Sequence, residues 1–152
     1  MKLYKFRLQP VLKVRKFKEE ACRMELGELL NELNRIDSQL KHDRLEIDNY
    51  YEIQEKALVN GMTGGQLQAF PMLVAGKNRN IELLLNAKKT QEARIEEKKR
   101  ELAVLRGELK VIENLREKDY LEYRKATNKE IDQKVEEQTQ LWLQQDDKKG
   151  DL

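Results

Sequence analysis

Charged side chains are the most abundant groups in this sequence that could take part in chemistry. The 152 residues include 28 aspartates and glutamates, 30 lysines and arginines, one histidine and one cysteine. Paired carboxylates work as general acid and base only where a cleft excludes water. Here acids alternate with bases, as in the run 92–101, EARIEEKKRE. This spacing is typical of solvated ion pairs along a helix surface and not of an active site.

Motifs for cofactors and metals are also missing from the sequence. His42 has no second histidine to share a zinc ion, and Cys22 has no second cysteine for a disulfide. We expect Cys22 to be a small buried apolar residue. The stretch 61–65, GMTGG, lacks the Lys and Ser/Thr that follow the glycines of a phosphate-binding loop. We therefore predict a protein that is not an enzyme and has no cofactor and no metal.

Composition narrows the class of protein further. Charged residues make up 38% of the chain and aromatic residues 6%, and the net charge is only +2. Because acidic and basic residues are interspersed, a surface dedicated to nucleic acid is not expected. Nucleic-acid binding by the basic patches at 13–18 and 98–100 remains a weaker alternative. No apolar run of about 18 residues exists, so we predict no direct membrane insertion. The interrupted N-terminal apolar residues do not form a signal peptide, and we predict a soluble cytoplasmic protein.

An apolar repeat of about 3.5 residues predicts that residues 81–126 form a coiled-coil helix. Sustained periodicity of this kind also argues against disorder. Several seam positions are polar, which usually serves register and partner choice. The a and d positions are Ile81, Leu84, Lys88, Gln91, Ile95, Lys98, Leu102, Leu105, Leu109, Ile112, Arg116, Asp119, Tyr123 and Ala126.

The first third of the chain supplies a partner helix. Its repeat is clear at Leu26, Leu29, Leu33, Ile36, Leu40, Asp43, Ile47, Tyr50, Gln54 and Ala57. Upstream, the register is predicted to slip, because a stripe from Val11 to Met24 is offset from Leu12 and Cys22. A doubled stripe indicates a second contact, either with the N-terminal arm or with another protein. The arm itself, residues 1–8, alternates and should be extended, with its aromatics packed on a helix.

Turn-forming residues at 60–65 mark a reversal, and two long helices joined by a short loop pack antiparallel. We predict an all-α fold, a long antiparallel two-helix coiled-coil hairpin with an overhanging C-terminal helix. It would be a single coiled-coil domain, 1–152. Its parts are an arm (1–8), helix 1 (9–59), a turn (60–65), helix 2 (66–143) and a disordered tail (144–152). This arrangement places Ile47 near Lys77, Leu33 near Gln91 and Leu12 near Ile112.

Two surfaces lack an obvious partner within such a hairpin. About 25 to 30 residues from Arg116 onward project past the first helix, at about 1.5 Å per residue. Trp142 is the best candidate there for an interface anchor, and the alternative is a loosely folded end with no binding role. Tyr50 and Tyr51 point about 100° apart, so at least one should be exposed. Edge packing and a docking face are both open for them.

Three stretches carry a resemblance to a known family. These are YKFRLQPVLKVRKFKEE near the start, LVNGMTGGQL at the turn and ENLREKDYLEYRK in the second helix. They resemble the flagellar type III export protein FliJ over essentially the whole chain. The resemblance implies an antiparallel coiled coil shaped like the central stalk of rotary ATP synthases. It also implies partners in bacterial flagellum biogenesis and motility: the hexameric export ATPase (FliI-like), the export-gate protein (FlhA-like) and export chaperones.

The resemblance also implies where those partners bind and where the protein works. Its cytoplasmic location would be peripheral to the inner-membrane export gate. The residues implied for ATPase binding are Phe6, Leu8, Val11, Leu12, Leu121 and Trp142. Those implied for the gate are Gln39, Tyr50, Tyr51 and Leu73. Where other members have apolar or aromatic residues on the gate face, this chain has Asp43, Glu46 and Lys77.

Two other functions fit the same pattern. One is a structural coiled-coil scaffold or tether whose overhang self-associates. The other is the equivalent stalk protein of a virulence type III secretion system, although the N-terminal arm favours the flagellar system.

Overall fold

Two helices make up nearly all of the chain that the computed structural model describes, residues 2–150. They are α1, Gln9–Asn60, and α2, Gly64–Gly150. Residues 2–8 precede α1 without regular structure, and residues 61–63 join the helices. The all-α class and the antiparallel packing of two long helices as a hairpin are confirmed. The predicted arm and tail also include residues 1, 151 and 152, which lie outside the described residues.

The turn between the helices is built by a glycine and a capping threonine. Gly61 has a φ of 89°, a left-handed conformation that ends α1 after Asn60. The Gln66 amide donates to Thr63 Oγ1 at 3.3 Å, and the Thr63 amide donates to Gln66 Oε1 at 3.4 Å. This reciprocal pair is a capping box. It starts α2 at Gly64, two residues before the start expected from glycine content alone.

The second helix also extends beyond its expected end at residue 143. It continues to Gly150, so residues 144–150 are helical where a disordered tail was expected. No proline or glycine interrupts residues 144–149. The positive charges of Lys148 and Lys149 in the last turn interact favourably with the negative end of the helix dipole, which stabilises the helix there. Pro71 lies inside α2, where it removes one backbone donor without ending the helix.

The chain divides into two compact units. The terminal unit consists of Met1–Glu19 with Leu105–Leu152, and the hairpin unit is Glu20–Val104. The single coiled-coil domain of 1–152 stays a prediction. No helix in the described part of the chain is long and apolar enough to cross a membrane.

The hairpin unit has a thin core along the facing sides of α1 and α2. Its buried apolar residues are Cys22, Leu40, Val74, Ile95 and Leu102. Every predicted seam position from 26 to 57 and from 81 to 102 is buried or half-buried, which confirms the heptad assignment there. The burial of Cys22 is confirmed as well.

Hydrogen bonds fix the register of this unit. Gln91 Nε2 donates to the carbonyl oxygen of Leu29 at 3.0 Å. That contact lies one turn from Leu33, the expected neighbour of Gln91. A buried amide bonded to backbone is satisfied only when the two helices are aligned this way, so the bond favours one register.

The terminal unit packs residues 9–19 of α1 against the part of α2 that begins at Leu105. Leu12 and Ile112 are its buried apolar residues. Arg15 Nη1 donates to the carbonyl oxygen of Glu108 at 2.8 Å, and Arg106 Nε lies 3.3 Å from Glu19 Oε1. The packed stripe is therefore the one that contains Leu12, at spacings of three and four.

The other predicted stripe, Val11, Val14 and Phe17, is exposed in this unit. The expected register slip is therefore absent from the terminal unit, since Leu12, Arg15 and Glu19 keep the heptad spacing. Two polar seam residues hid that spacing in the sequence.

Candidate functional site

A cluster of three tyrosines holds the N-terminal arm against α2 in the terminal unit. The ring centroid of Tyr4 lies 5.1 Å from that of Tyr120 and 5.2 Å from that of Tyr123. The Tyr4–Tyr120 pair is edge-to-face, at an interplanar angle of 74°. Such pairs add attraction beyond the apolar area that they bury. The predicted packing of an arm aromatic on a helix is confirmed for Tyr4, and we call these three residues the tyrosine cluster.

Polar contacts complete the attachment of the arm. The Tyr4 hydroxyl lies 3.1 Å from Asp119 Oδ2 and 3.3 Å from the carbonyl oxygen of Arg116. The Tyr123 hydroxyl donates to the carbonyl oxygen of Lys2. The pKa of Tyr4 is raised. The larger cause is desolvation of the hydroxyl, and the second is its hydrogen bond to Asp119. Asp119, a polar seam residue in the sequence, thus anchors the arm, and a groove of about 440 Å³ lies beside it.

Replacing Tyr4 by alanine is expected to detach the arm without unfolding α1 or α2. The change removes both ring contacts and the hydroxyl contacts, whereas Tyr4→Phe removes only the hydroxyl. Trypsin cleavage after Lys5 and Arg7 measures the release: Y4A should be cut much faster than the native chain, and Y4F only slightly faster. The exposed Tyr51 offers a matched control, Tyr51→Ala. Equal cleavage of Y4A and the native chain would show that the cluster does not hold the arm.

All six residues implied for ATPase binding lie in the terminal unit, but their exposure differs. Phe6 is half-buried, Leu8, Val11 and Leu121 are partly exposed, and Trp142 is 75% exposed. Leu12 is only 6% exposed, so it supports the surface from beneath. Tyr4 was expected to pack on a helix, but neither Tyr4 nor Tyr120 is among the residues implied for partner binding. The three-residue spacing of Tyr120 and Tyr123 was the available signal, because it places both rings on one helix face.

Beyond the tyrosine cluster, α2 is unburied to its end. Every residue from 128 to 150 is exposed. Ile131, Val135 and Trp142 fall within about 40° of one another around the helix, since successive residues are about 100° apart. A shallow groove of about 280 Å³ is lined by Val135, Gln138, Thr139 and Trp142. This apolar stripe, the tail stripe, is Ile131, Val135 and Trp142.

The hairpin unit contains the four residues implied for gate binding. Tyr50 is half-buried and Tyr51 is exposed, which confirms that at least one of the two tyrosines faces solvent. Leu73 is exposed and lines a cleft of about 570 Å³ together with Tyr50. Tyr51 and Gln39 are not among the lining residues. The cleft is lined by Tyr50, Met72, Leu73, Gly76, Lys77, Arg79, Asn80 and Leu83.

A group of charged residues borders this cleft. Asp43 is only 2% exposed, and it accepts a hydrogen bond from Gln39 Nε2 at 3.0 Å. Lys77 Nζ lies 3.5 Å from Asp43 Oδ1 and contacts Glu46 directly. His42 Nε2 is 3.1 Å from Glu46 Oε1. Gln39 thus orients a buried carboxylate while its own side chain remains exposed.

The Glu46–Lys77 contact shifts the pKa values of both partners. The hydrogen bond from Lys77 lowers the pKa of Glu46, and the same bond raises the pKa of Lys77. A carboxylate with a lowered pKa stabilises the fold above its unfolded pKa, and that stability is lost as the pH falls through the folded value. An ammonium with a raised pKa stabilises the fold below its unfolded pKa, and that stability is lost as the pH rises through the folded value.

We therefore expect Glu46→Gln to flatten the acid limb of the stability profile. The native Tm should fall as the pH drops below about 4, while the Tm of E46Q should fall less over the same range. Far-ultraviolet circular dichroism during heating measures both. The control is Glu52→Gln, since Glu52 makes only an exposed 4.0 Å pair with Lys56. Identical acid limbs for E46Q and the native chain would contradict the assignment.

Other polar seam residues are also paired across the hairpin unit. Lys88 Nζ lies 2.8 Å from Asp37 Oδ1, and Lys98 Nζ lies 2.7 Å from Glu25 Oε2. Hydrogen bonding to these carboxylates raises the pKa of both lysines. Each pair forms only when the helices are correctly aligned. The polar positions therefore help to select the register, as predicted for a seam of this composition.

The family described as Flagellar FliJ protein matches residues 4–141, which is most of the chain. No curated protein and no solved structure matches the chain.

Proposed function

Because the chain belongs to the flagellar FliJ protein family, whose members are non-enzymatic components of the flagellar export apparatus, we propose that this protein is the stalk of the export ATPase. In this role the terminal unit binds the hexameric ATPase and promotes its ring assembly. The hairpin unit contacts the export-gate protein, and the protein also escorts export chaperones. It acts in the cytoplasm, at the periphery of the inner membrane.

One observation carries the ATPase assignment: the tail stripe is apolar and exposed on a helix whose base is anchored. Isolated helices are marginal in water, so an exposed apolar helix end is stabilised by a partner. The tyrosine cluster anchors the arm on this helix, so that Phe6 and Leu8 belong to the same unit as Trp142. A large aromatic side chain on such a surface is a typical interface anchor.

The gate assignment is supported by the cleft beside Tyr50 and Leu73. The cleft combines exposed apolar residues with two basic residues, Lys77 and Arg79, and Lys77 is already paired with Asp43 and Glu46. It suits a partner segment that is apolar and carries a polar group opposite Lys77. The Asp43–Lys77 pair lies beside this cleft, so the proposed gate surface of this chain is polar as well as apolar.

Titration of ATP turnover by the export ATPase tests the stalk proposal. The full chain is expected to stimulate turnover and ring assembly. A chain that ends at Thr127 should fail to do so, although it keeps the tyrosine cluster and the described residues that it loses, 128–150, are all exposed. Circular dichroism should show that the shortened chain still folds. Equal stimulation by both chains would contradict the proposal, as would no stimulation by the full chain.

A self-associating tether is the second candidate, and the tail stripe is what favours it. Sedimentation equilibrium of the full chain separates the two. The stalk proposal expects a monomer whose mass is unaffected by Trp142→Ala, whereas a tether would be a dimer that this substitution dissociates.

A further inference from the structure

The start of the chain departs from the charge pattern of the rest. Residues 2–18 contain seven basic residues and no acidic residue, while elsewhere the signs alternate. The basic residues are Lys2, Lys5, Arg7, Lys13, Arg15, Lys16 and Lys18. Such a block attracts a polyanionic surface.

The first turns of α1 present an apolar strip on the side away from α2. Leu12 and Arg15 mark the side that packs on α2, through burial and through the bond to Glu108. Phe17 is 72% exposed and Val14 is 53% exposed. At about 100° per residue, Phe17 and Val14 lie between about 140° and 200° from Leu12, on the opposite side of the helix.

Lysines border this strip on both sides. Lys13 lies about 40° outside Phe17, and Lys18 lies about 40° outside Val14, by the same helical spacing. Lysine stems can lie along apolar surface while their ammonium groups reach outward to phosphates. We call Lys13, Val14, Phe17 and Lys18 the basic apolar face.

We propose that the basic apolar face adsorbs to the surface of a membrane that contains anionic phospholipids. Phe17 and Val14 enter the boundary between headgroups and acyl chains, and Lys13 and Lys18 bind the lipid phosphates. This is the pattern of a helix that lies in the membrane interface, with an apolar centre and basic edges. The exposed Leu3, between Lys2 and Lys5, adds a second apolar contact from the arm.

An anionic lipid surface fits this face better than nucleic acid or an acidic protein helix does. Nucleic acid would use the lysines and the Phe17 ring, but it gains nothing from the aliphatic Val14 beside that ring. An acidic protein helix would need a groove to bury its own apolar side, whereas this face is the outer side of one helix. A lipid surface accepts a convex face and uses both side-chain classes.

The contact is superficial, because four residues bury little area and no described helix can cross a membrane. It does not rest on the ATPase proposal, since Lys13, Val14, Phe17 and Lys18 lie outside the residues assigned to that partner. Failure of either proposal leaves the other intact.

Co-sedimentation of the full chain with lipid vesicles tests the proposal. The probes are vesicles of phosphatidylcholine alone and of phosphatidylcholine mixed with phosphatidylglycerol, at low ionic strength. The native chain is expected to sediment only with the mixed vesicles. Lys13→Gln with Lys18→Gln should weaken partitioning about 30-fold, since each lysine near an anionic surface contributes about fivefold. Phe17→Ser should weaken it about tenfold.

Matched controls make the outcomes decisive. Lys148→Gln with Lys149→Gln changes the charge equally at the far end of α2 and should leave partitioning unchanged. In the double variant F17W/W142F, tryptophan emission should shift to shorter wavelength with mixed vesicles only. The proposal is overturned if the native protein does not sediment with the mixed vesicles. It is also overturned if replacing Lys148 and Lys149 weakens partitioning as much as replacing Lys13 and Lys18. It is also overturned if a single-stranded oligonucleotide binds with dependence on Lys13 and Lys18 while F17S changes nothing in either assay.

Discussion

Ile95→Ala is expected to lower the free energy of unfolding of the hairpin unit by about 3 kcal/mol. Ile95 is 4% exposed, and it lies in a core only one side chain thick on each helix. Such a core has no second layer that could move in to fill the lost volume. The truncation therefore costs both the transfer of the side chain to the interior and the cavity that remains.

Thermal and urea unfolding followed by circular dichroism measure this effect. Leu83→Ala provides the matched control on the same helix, because Leu83 is 68% exposed and its loss should change stability by less than about 0.5 kcal/mol. Equal destabilisation by I95A and L83A would mean that Ile95 is not a core residue of the hairpin, and the heptad assignment of α2 would be wrong.

Trp142→Ala is expected to weaken binding of the export ATPase about 30-fold, because a buried interface tryptophan typically contributes about 2 kcal/mol or more. The same substitution should leave Tm unchanged, since the exposed indole is not part of the core of the terminal unit. Separation of binding from stability is the signature of an interface anchor.

Isothermal titration of the ATPase with the native chain and with W142A measures the change in affinity. Val59→Ala, an exposed apolar truncation next to the turn, controls for nonspecific loss of apolar surface and should bind normally. Native affinity in W142A would remove Trp142 from the interface. A lowered Tm in W142A would instead show that the indole stabilises the fold.

The sequence predicts the hairpin well because its two strongest signals agree. The heptad repeat places Leu40, Ile95 and Leu102 in the core, and the glycines around Gly61 place the turn. Both signals are local patterns, and antiparallel packing follows from a short connection between long helices. Polar seam residues such as Lys98 are also readable, because a charge at a seam position demands a partner on the other helix.

The remaining features depend on contacts between residues distant in sequence. Tyr4 contacts Tyr120 and Tyr123, a pairing that neither spacing nor composition specifies. The heptad repeat could not be recognised at the start of α1, because two of its core-facing positions are the polar residues Arg15 and Glu19, which contact α2. The predicted end of α2 at residue 143 is too early, because a polar sequence can remain helical when no glycine or proline stops it.

The proposed gate surface contains a charged pair that a partner would have to accommodate. Lys77 shifts the pKa of Glu46 while lining the cleft, so a gate partner that enters the cleft must displace or accommodate this pair. A gate protein matched to this chain is therefore expected to contribute a polar group at that point. An apolar partner segment would leave Asp43 buried without its full set of contacts.

Site-specific photo-cross-linking tests most directly whether the two units bind different partners. A photo-reactive amino acid replaces Trp142 in one full-length chain and Leu73 in another, and each is irradiated with both the export ATPase and the gate protein present. The prediction is that position 142 links to the ATPase and position 73 links to the gate protein. Links from position 142 to the gate protein, or to a second copy of this chain instead of the ATPase, would contradict the account.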